Sequence, residues 1–255
     1  MPRSRAIRAS SKPISARDTK AVASPLLTIE NLHGWYGESH VLHGVDLVVR
    51  EGEVVSLLGR NGAGRTSTLR AILGLLSRRT GSIRIADRET IAMAPHRIPR
   101  LGIGYCPEER GIYASLTTEE NLELPPRIAP GGMSIEEIYR IFPNLAERRT
   151  SPGTKLSGGE QQMLAIARIL RTGAKFLLLD EISEGLAPVI VQKLADTIRL
   201  LKGRGYTILM VEQNFRFAAP LADRFYVVEH GRVAMQLDRH ELEERQEELA
   251  SFLGV

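Results

Sequence analysis

The sequence has little of several features that define large classes of protein. A single cysteine, Cys106, excludes a disulfide within the chain. No apolar stretch approaches the ~18 uncharged residues that a membrane-spanning helix needs, and we find no apolar segment typical of a secretion signal. With the lone cysteine, this indicates a reducing, cytoplasmic setting. Aromatic residues make up only 5% of the chain, but 43% of its 255 residues are hydrophobic and 25% are charged. Such a composition excludes collagen-like, low-complexity and largely disordered chains.

The positive net charge lies almost entirely at the amino end of the sequence. Residues 1–20 contain six basic side chains and one acidic one, and outside this segment the two signs nearly balance. A nucleic-acid-binding protein carries positive charge on the folded face that meets phosphate, so the balance argues against nucleic acid as a partner. We expect residues 1–24 to form a disordered basic tail, with attraction to anionic lipid headgroups as the alternative.

The alternation of short apolar runs and helical patterns predicts an α/β fold. An apolar run at 53–58 is followed by a glycine-rich loop and then by a helical pattern, as in the first layer of a parallel sheet. Between about 108 and 171 the pattern is helical, and Ser134 begins a Ser-Ile-Glu-Glu capping box. The sequence therefore predicts a helical subdomain inserted into a parallel sheet. The predicted strands are 26–29, 41–49, 53–58, 83–85, 103–106, 176–179, 207–211 and 225–228; the predicted helices include 66–76, 158–170, 189–201 and 246–253.

The glycine-rich loop has the pattern of a phosphate-binding loop. Residues 59–66, Gly-Arg-Asn-Gly-Ala-Gly-Arg-Thr, fit Gly-x(4)-Gly-Lys-Thr at every defined position except the lysine, which is Arg65. Glycines let successive backbone N–H groups surround phosphate oxygens, and the following helix adds the positive end of its dipole. Thr66 would offer its hydroxyl to Mg²⁺. Taken alone, the loop is also compatible with a purely structural turn.

Two carboxylates follow the apolar run at 176–179. Mg²⁺ takes oxygen ligands such as Asp180, and a second carboxylate beside it, Glu181, can polarise an attacking water. A buried strand followed by acidic residues is common, so this motif is weak by itself. However, this motif and the glycine-rich loop both follow predicted core strands. A phosphate site at the carboxyl ends of a parallel sheet requires that arrangement.

A third motif brings the first two into one family pattern. Residues 156–162, Leu-Ser-Gly-Gly-Glu-Gln-Gln, open a predicted helix, and Ser157 lies 23 residues before Asp180. The order and separation of the three motifs resemble those of ATP-binding-cassette (ABC) ATPases. Further segments resemble in particular the ATPase subunits of branched-chain amino-acid importers: 104–108, 116–122, 184–188 and 211–214.

The resemblance implies a fold, a set of partners and a location. The fold would be a P-loop NTPase core with a parallel sheet, a small antiparallel β subdomain and the inserted α-helical subdomain, together an ATP-binding domain over 25–255. ATP and Mg²⁺ would lie between two ATPase subunits in a head-to-tail homodimer or heterodimer. The dimer would drive transmembrane permease subunits and, indirectly, would work with an extracytoplasmic solute-binding protein. The ATPase itself would be cytoplasmic, as a peripheral protein on the inner face of the cell membrane. The segment 108–122, with Tyr113 and Leu116, would contact the permease.

The resemblance also assigns roles to single residues. Glu181 would be the general base, and Tyr36 would stack on adenine unless it is an ordinary tyrosine of the sheet surface. Glu108 stands where the wider family usually has a glutamine that senses Mg²⁺. Gln213 stands where the family usually has a histidine and, because it cannot carry a proton, would position groups by hydrogen bonding. Phosphate would be bound by Gly59, Arg60, Asn61, Gly62, Ala63, Gly64, Arg65, Thr66 and Ser67. The signature residues Ser157, Gly158 and Gly159 would reach the partner's nucleotide, and the metal would lie near Thr66, Asp180 and Glu108.

Arg65 is the one serious departure from the family pattern. Arginine keeps the positive charge but replaces a compact ammonium by a longer planar fork, which is not equivalent at a tight phosphate site. The other motifs are intact, so we expect an active ATPase that powers an importer of branched-chain or related amino acids or amides. One alternative is a nucleotide-binding partner subunit that hydrolyses ATP weakly. Another is a soluble ABC ATPase acting on DNA or ribosomes, but such proteins usually carry long insertions or a second cassette.

Overall fold

The computed structural model describes residues 23–253, so the predicted tail lies outside the described residues except for its last two positions. The strands are β1 (Pro25–Tyr36), β2 (Ser39–Arg50), β3 (Val54–Leu58), β4 (Arg78–Ile85), β5 (Arg88–Glu89), β6 (Ile103–Cys106), β7 (Phe176–Asp180), β8 (Thr207–Val211), β9 (Arg224–Glu229) and β10 (Arg232–Asp238). The helices are α1 (Arg65–Ile72), α2 (Thr118–Glu123), α3 (Ile135–Ile141), α4 (Pro143–Glu147), α5 (Gly158–Arg171), α6 (Pro188–Gly203), α7 (Phe215–Ala218) and α8 (Gln246–Leu253).

A four-stranded antiparallel sheet is built from the first part of the chain, in the order β2-β1-β4-β5. Residues Leu27 and Ile29 of β1 are buried and alternate with less buried positions, as expected when one face of a sheet packs on a core. Their partners include Leu69 and Ile72 of α1, which belong to the same apolar cluster. The antiparallel β subdomain that the family resemblance implied is therefore confirmed.

The larger sheet has the order β10-β9-β3-β8-β7-β6. Five of its strands, β6 to β9 and β3, pair in parallel, and β10 pairs antiparallel with β9 at one edge. Every residue of β3, β7 and β8 is buried, which explains why these strands are continuous apolar runs in the sequence. Their carboxyl ends meet at one edge, because neighbouring parallel strands share a direction.

Four helices, α2 to α5, lie between β6 and β7. The N-cap residues of α2, α3 and α5 are Thr117, Ser134 and Ser157. Each forms a capping box with the glutamate three residues later. Residues 107–117 are irregular, so the helical pattern begins later than position 108. Across residues 23–253 no helix combines the length and the apolar character needed to cross a bilayer.

One further expectation from the sequence was wrong in detail, and one strand was missed. The helix predicted over 66–76 ends at Ile72, because Gly74 has a φ of 77°, a left-handed conformation that stops a helix. Strand β10 was not predicted at all. It forms because His230 and Gly231, with φ of 47° and 71°, make a tight turn after β9, and Val233, Met235 and Leu237 then follow at alternate positions.

Candidate functional site

The glycine-rich loop connects the carboxyl end of β3 to the first turn of α1. Gly59 has a φ of 149°, and a Cβ atom on it would lie 2.3 Å from the Val228 carbonyl oxygen. Gly64 has a φ of 108°, and a Cβ there would lie 3.1 Å from Gly231. The loop therefore packs directly on backbone of β9 and of the turn after it, and only glycine fits these two positions without strain.

Thr66 and Asp180 meet at the carboxyl edge of the large sheet. The Thr66 hydroxyl donates to Asp180 Oδ1 at 2.9 Å, and the Tyr105 hydroxyl of β6 donates to Asp180 Oδ2 at 3.1 Å. Burial raises the pKa of the Asp180 carboxyl, and the two hydroxyl donors oppose that shift. The chain thus fixes both oxygens of a buried carboxylate beside the first turn of α1.

Arg65 forms an ion pair with Glu181 inside the protein. Its Nη2 donates to Glu181 Oε1 at 2.7 Å and to Asn61 Oδ1 at 3.1 Å. The two charged side chains are only 3% and 10% exposed. Arg65 Nη1 is buried and has no hydrogen-bond partner among residues 23–253. The arginine that replaces the usual lysine therefore contacts the carboxylate that the sequence predicts to be the general base.

Glu181 lies in a group of carboxylates. It has a φ of 47°, and its N–H donates to the Val211 carbonyl oxygen at 2.9 Å. Carboxylate oxygens of Glu108, Glu181 and Glu184 lie within 4.8 Å of one another. Burial raises the pKa of Glu181 to about 7, Glu184 adds to the rise and Arg65 opposes it. A carboxylate with this pKa can exchange a proton near neutral pH.

These side chains line one cavity of about 460 Å³. The lining consists of the loop, its neighbours and the carboxylates: Val41, Asn61, Gly62, Ala63, Gly64, Arg65, Thr66, Ser67, Glu108, Glu181 and Glu184. Most of the residues predicted to bind phosphate are thus brought together in the folded chain. Gly59 and Arg60 belong to the same loop but do not line this cavity.

Other predicted site residues lie outside the cavity. Tyr36, at the end of β1, is 37% exposed. Gln213 is exposed in the segment between β8 and α7. Ser157 caps α5, accepting a hydrogen bond from the Glu160 N–H at 3.3 Å, and Gly158 and Gly159 form the first turn of that helix. None of these five residues lines the cavity of its own chain.

Two further residues, Tyr105 and Glu184, contact or neighbour the predicted site residues in the folded chain. Tyr105 contacts Asp180 because β6 pairs with β7, and its position near the end of a predicted strand was the available signal. Glu184 follows Glu181 by three residues, and a turn between them, with the Glu184 N–H donating to the Glu181 carbonyl, brings both side chains to the cavity. The sequence alone could not fix the direction of that turn.

The fold and its loop define the class of P-loop NTPases, α/β proteins with a phosphate-binding loop between a core strand and a helix. The family model for ABC transporters matches residues 42–184, which is more than half of the chain. The chain belongs to the ABC transporter family. It is an ABC transporter ATPase, which binds ATP and couples its hydrolysis to transport, so this prediction from the sequence is confirmed.

Several curated relatives cover most of the chain. The high-affinity branched-chain amino acid transport ATP-binding protein BraG of Pseudomonas aeruginosa is 40% identical over 219 residues, 82% of this chain and 91% of that protein. The probable branched-chain amino acid transport ATP-binding protein LivF of Archaeoglobus fulgidus is 35% identical over 90% of this chain and 99% of its own length. The lipopolysaccharide export system ATP-binding protein LptB of Haemophilus influenzae is 36% identical over 82% and 88%.

Solved structures agree on the fold. The structure of an ATP binding subunit of an ABC transporter superposes with a TM-score of 0.75 and 29% identity, covering 90% of this chain and all of that one. The predicted combination of a mainly parallel sheet, an antiparallel subdomain and helices is therefore confirmed.

Proposed function

We propose that this chain powers an importer of branched-chain amino acids or of related amino acids or amides. The observation that carries the proposal is the 40% identity to BraG, a branched-chain amino acid transport ATP-binding protein, over 91% of its length. LptB, at 36% identity, makes lipopolysaccharide export the second candidate. In this proposal the membrane partner selects the transported solute, so the membrane partner decides between the two candidates.

In this proposal the glycine-rich loop holds the phosphates of ATP. Residues 59–67 surround the phosphates with backbone N–H groups, and Arg65 adds a positive charge. The donor set beside them consists of oxygens, namely the Thr66 hydroxyl and the carboxylates of Asp180 and Glu108, which fits Mg²⁺. When bound, Mg²⁺ supplies positive charge that offsets the charge of the phosphates. Glu181 orients a water and accepts its proton, as its pKa of about 7 allows.

The proposed site is completed by a second ATPase subunit. Ser157, Gly158 and Gly159 lie outside the cavity of their own chain, so they would reach the nucleotide of a partner, whether a copy of this chain or a related subunit. Their backbone N–H groups at the start of the 14-residue helix α5 suit the γ-phosphate. Tyr36 would contact adenine, and Gln213 would position groups near the phosphate by hydrogen bonding.

The segment 108–122 is the proposed contact with the permease, which places the chain on the cytoplasmic face of the membrane. Tyr113 in this segment is 51% exposed, and its ring lies under the Arg168 guanidinium at 4.9 Å. Leu116 is half-buried. Loops that rigid elements hold at a surface commonly carry such contacts. An exposed aromatic ring offers apolar area to a permease helix.

The test is transport by the complete complex. The tagged chain is purified with the membrane subunits that accompany it and reconstituted in vesicles with ATP. We expect uptake of labelled leucine, isoleucine or valine, and transport of lipopolysaccharide without amino-acid uptake would reverse the assignment. Tyr113→Ser is expected to lower transport-coupled ATPase while the basal ATPase of the isolated subunit survives. The matched control is Leu75→Ser, a similarly exposed apolar residue outside the segment 108–122; an equal loss in the control would remove the permease contact from this segment.

A further inference from the structure

We propose that Arg65 and Glu181 form a latch in which the carboxylate and nucleotide phosphate compete for the same guanidinium. Phosphate that enters the loop takes Arg65 from Glu181 and leaves this carboxylate free. The inference rests on the proposed function, because it assumes that phosphate binds beside Arg65.

The geometry sets the carboxylate and the phosphate loop at one guanidinium. Arg65 Nη2 contacts both Glu181, at 2.7 Å, and Asn61 of the same loop, at 3.1 Å. These contacts hold the guanidinium on the carboxylate side of the cavity, at the first residue of α1. The unpartnered, buried Nη1 shows that the pair leaves part of the donor capacity of Arg65 unused. An anion in the loop would supply a stronger and more complete set of acceptors.

Burial makes the exchange of partners necessary. Both side chains are almost completely buried, and a buried charge that loses its partner is strongly unfavourable. Phosphate gives Arg65 a replacement, but Glu181 then remains among the carboxylates of Glu108 and Glu184. Freed from Arg65, this group attracts a cation. Phosphate binding thus prepares the carboxylate that the proposed reaction uses.

The backbone keeps Glu181 in position for this exchange. Its positive φ of 47° is uncommon for a residue other than glycine, and the N–H bond to the Val211 carbonyl fixes it to β8. The backbone of Glu181 is therefore held by the sheet, whereas the Arg65 guanidinium stands at the end of a longer side chain at the start of α1. Arg65 is the partner that moves.

The first experiment measures the affinity for ADP, which lacks the γ-phosphate that would draw two subunits together; sedimentation verifies that the protein stays monomeric. Competition predicts that Glu181→Gln raises ADP affinity by about tenfold, equivalent to about 1.4 kcal/mol. The matched control is Glu184→Gln, which removes the same charge from the same group but has no hydrogen bond to Arg65 among the described contacts. Equal gains in the two variants would reduce the effect to general repulsion of an anion and would overturn the latch, as would unchanged or weaker binding by Glu181→Gln.

The second experiment measures the latch without nucleotide. Thermal unfolding of Arg65→Met, Glu181→Gln and the double variant gives the coupling between the two residues, and we expect a coupling of about 3 °C or more that disappears at saturating ADP. Arg65→Gln, which removes the charge but keeps a polar side chain, replaces Arg65→Met if the latter does not fold. Absence of coupling without ADP overturns the latch. If coupling is present but the unmodified chain binds neither ATP nor ADP, the proposed function fails and with it the assumption on which the latch rests.

Discussion

Single side chains at the ends of the core strands set the chemistry of this protein. One of them, Glu212, takes no part in the proposed reaction. Glu212, directly after β8, is 1% exposed. It accepts hydrogen bonds from the Ser183 hydroxyl at 2.8 Å and from the Ser183 N–H at 3.3 Å. It therefore connects β8 to the loop that carries Glu181. Burial raises the pKa of Glu212 to about 8, and the bonds from Ser183 oppose the rise.

Because its pKa is raised in the folded state, Glu212 binds a proton more tightly there than in the unfolded chain. Its contribution to stability is complete below the ordinary carboxyl pKa and is lost as the pH rises through about 8. We expect Glu212→Gln, which resembles the protonated form, to remove this loss. Relative to the variant, the unfolding free energy of the unmodified chain should fall by about 1.4 kcal/mol per pH unit in this window, measured by denaturant unfolding at several pH values. Glu229→Gln, at an exposed position, is the control, and its unfolding free energy should follow that of the unmodified chain at every pH. If the unfolding free energies of Glu212→Gln and of the unmodified chain changed in parallel with pH, the prediction would be contradicted.

At the scale of elements, one buried amide organises the segment before α2. Asn121 is completely buried in α2. Its Oδ1 accepts from the Tyr113 N–H at 2.8 Å, and its Nδ2 donates to the carbonyls of Tyr113, Leu116 and Thr117 at 2.9, 3.2 and 3.0 Å. The irregular segment is thus held by this side chain together with backbone hydrogen bonds, such as those from the Gly153 N–H to the Leu116 carbonyl at 2.9 Å and from the Thr154 N–H to the Ala114 carbonyl at 3.1 Å.

Replacing this amide should loosen the loop. Asn121→Ala leaves the Tyr113 N–H without its partner and removes three further hydrogen bonds to backbone carbonyls, so we expect a loss of about 2 kcal/mol of unfolding free energy and faster hydrogen exchange at the Tyr113 amide. Gln192→Ala, an exposed amide on α6, should change stability by less than about 0.5 kcal/mol. Unchanged exchange at Tyr113 in Asn121→Ala would show that other contacts hold the loop.

At the scale of the whole molecule, the proposed nucleotide site uses residues of two chains. The cavity holds the glycine-rich loop and the carboxylates, while Ser157 and its following glycines lie elsewhere on the same chain. A nucleotide in the loop would therefore remain uncapped on one side in a single subunit.

ATP with Mg²⁺ should drive dimerisation, most clearly for Glu181→Gln, which would not hydrolyse the bound nucleotide. Sedimentation should show a dimer for this variant with ATP and a monomer with ADP. Adding Gly158→Glu should prevent dimerisation by placing a negative charge at the start of α5, a position where glutamate is compatible with the helix. A Glu181→Gln protein that stays monomeric at saturating ATP, alone and mixed with its partner subunit, would refute the composite site.

The sequence by itself determined several of the strands and helices, and the family. Strands β6 and β8 and helix α8 lie where the apolar patterns predicted them. The period of apolar residues along a short stretch of chain is enough to indicate each of these elements. The three motifs determined the family because each is a short, contiguous stretch that can be read directly from the sequence. The residue types of each stretch suit phosphate or a metal.

Only the tertiary structure decided which motif side chains touch. Thr66 follows β3 and Asp180 ends β7, and these strands are separated in the sheet by β8, so their contact depends on the strand order. The pair between Arg65 and Glu181 joins residues 116 positions apart and depends on the positive φ of Glu181. Sequence spacing does not encode such contacts. They arise because parallel strands bring their carboxyl ends to one edge, where buried charges must find partners.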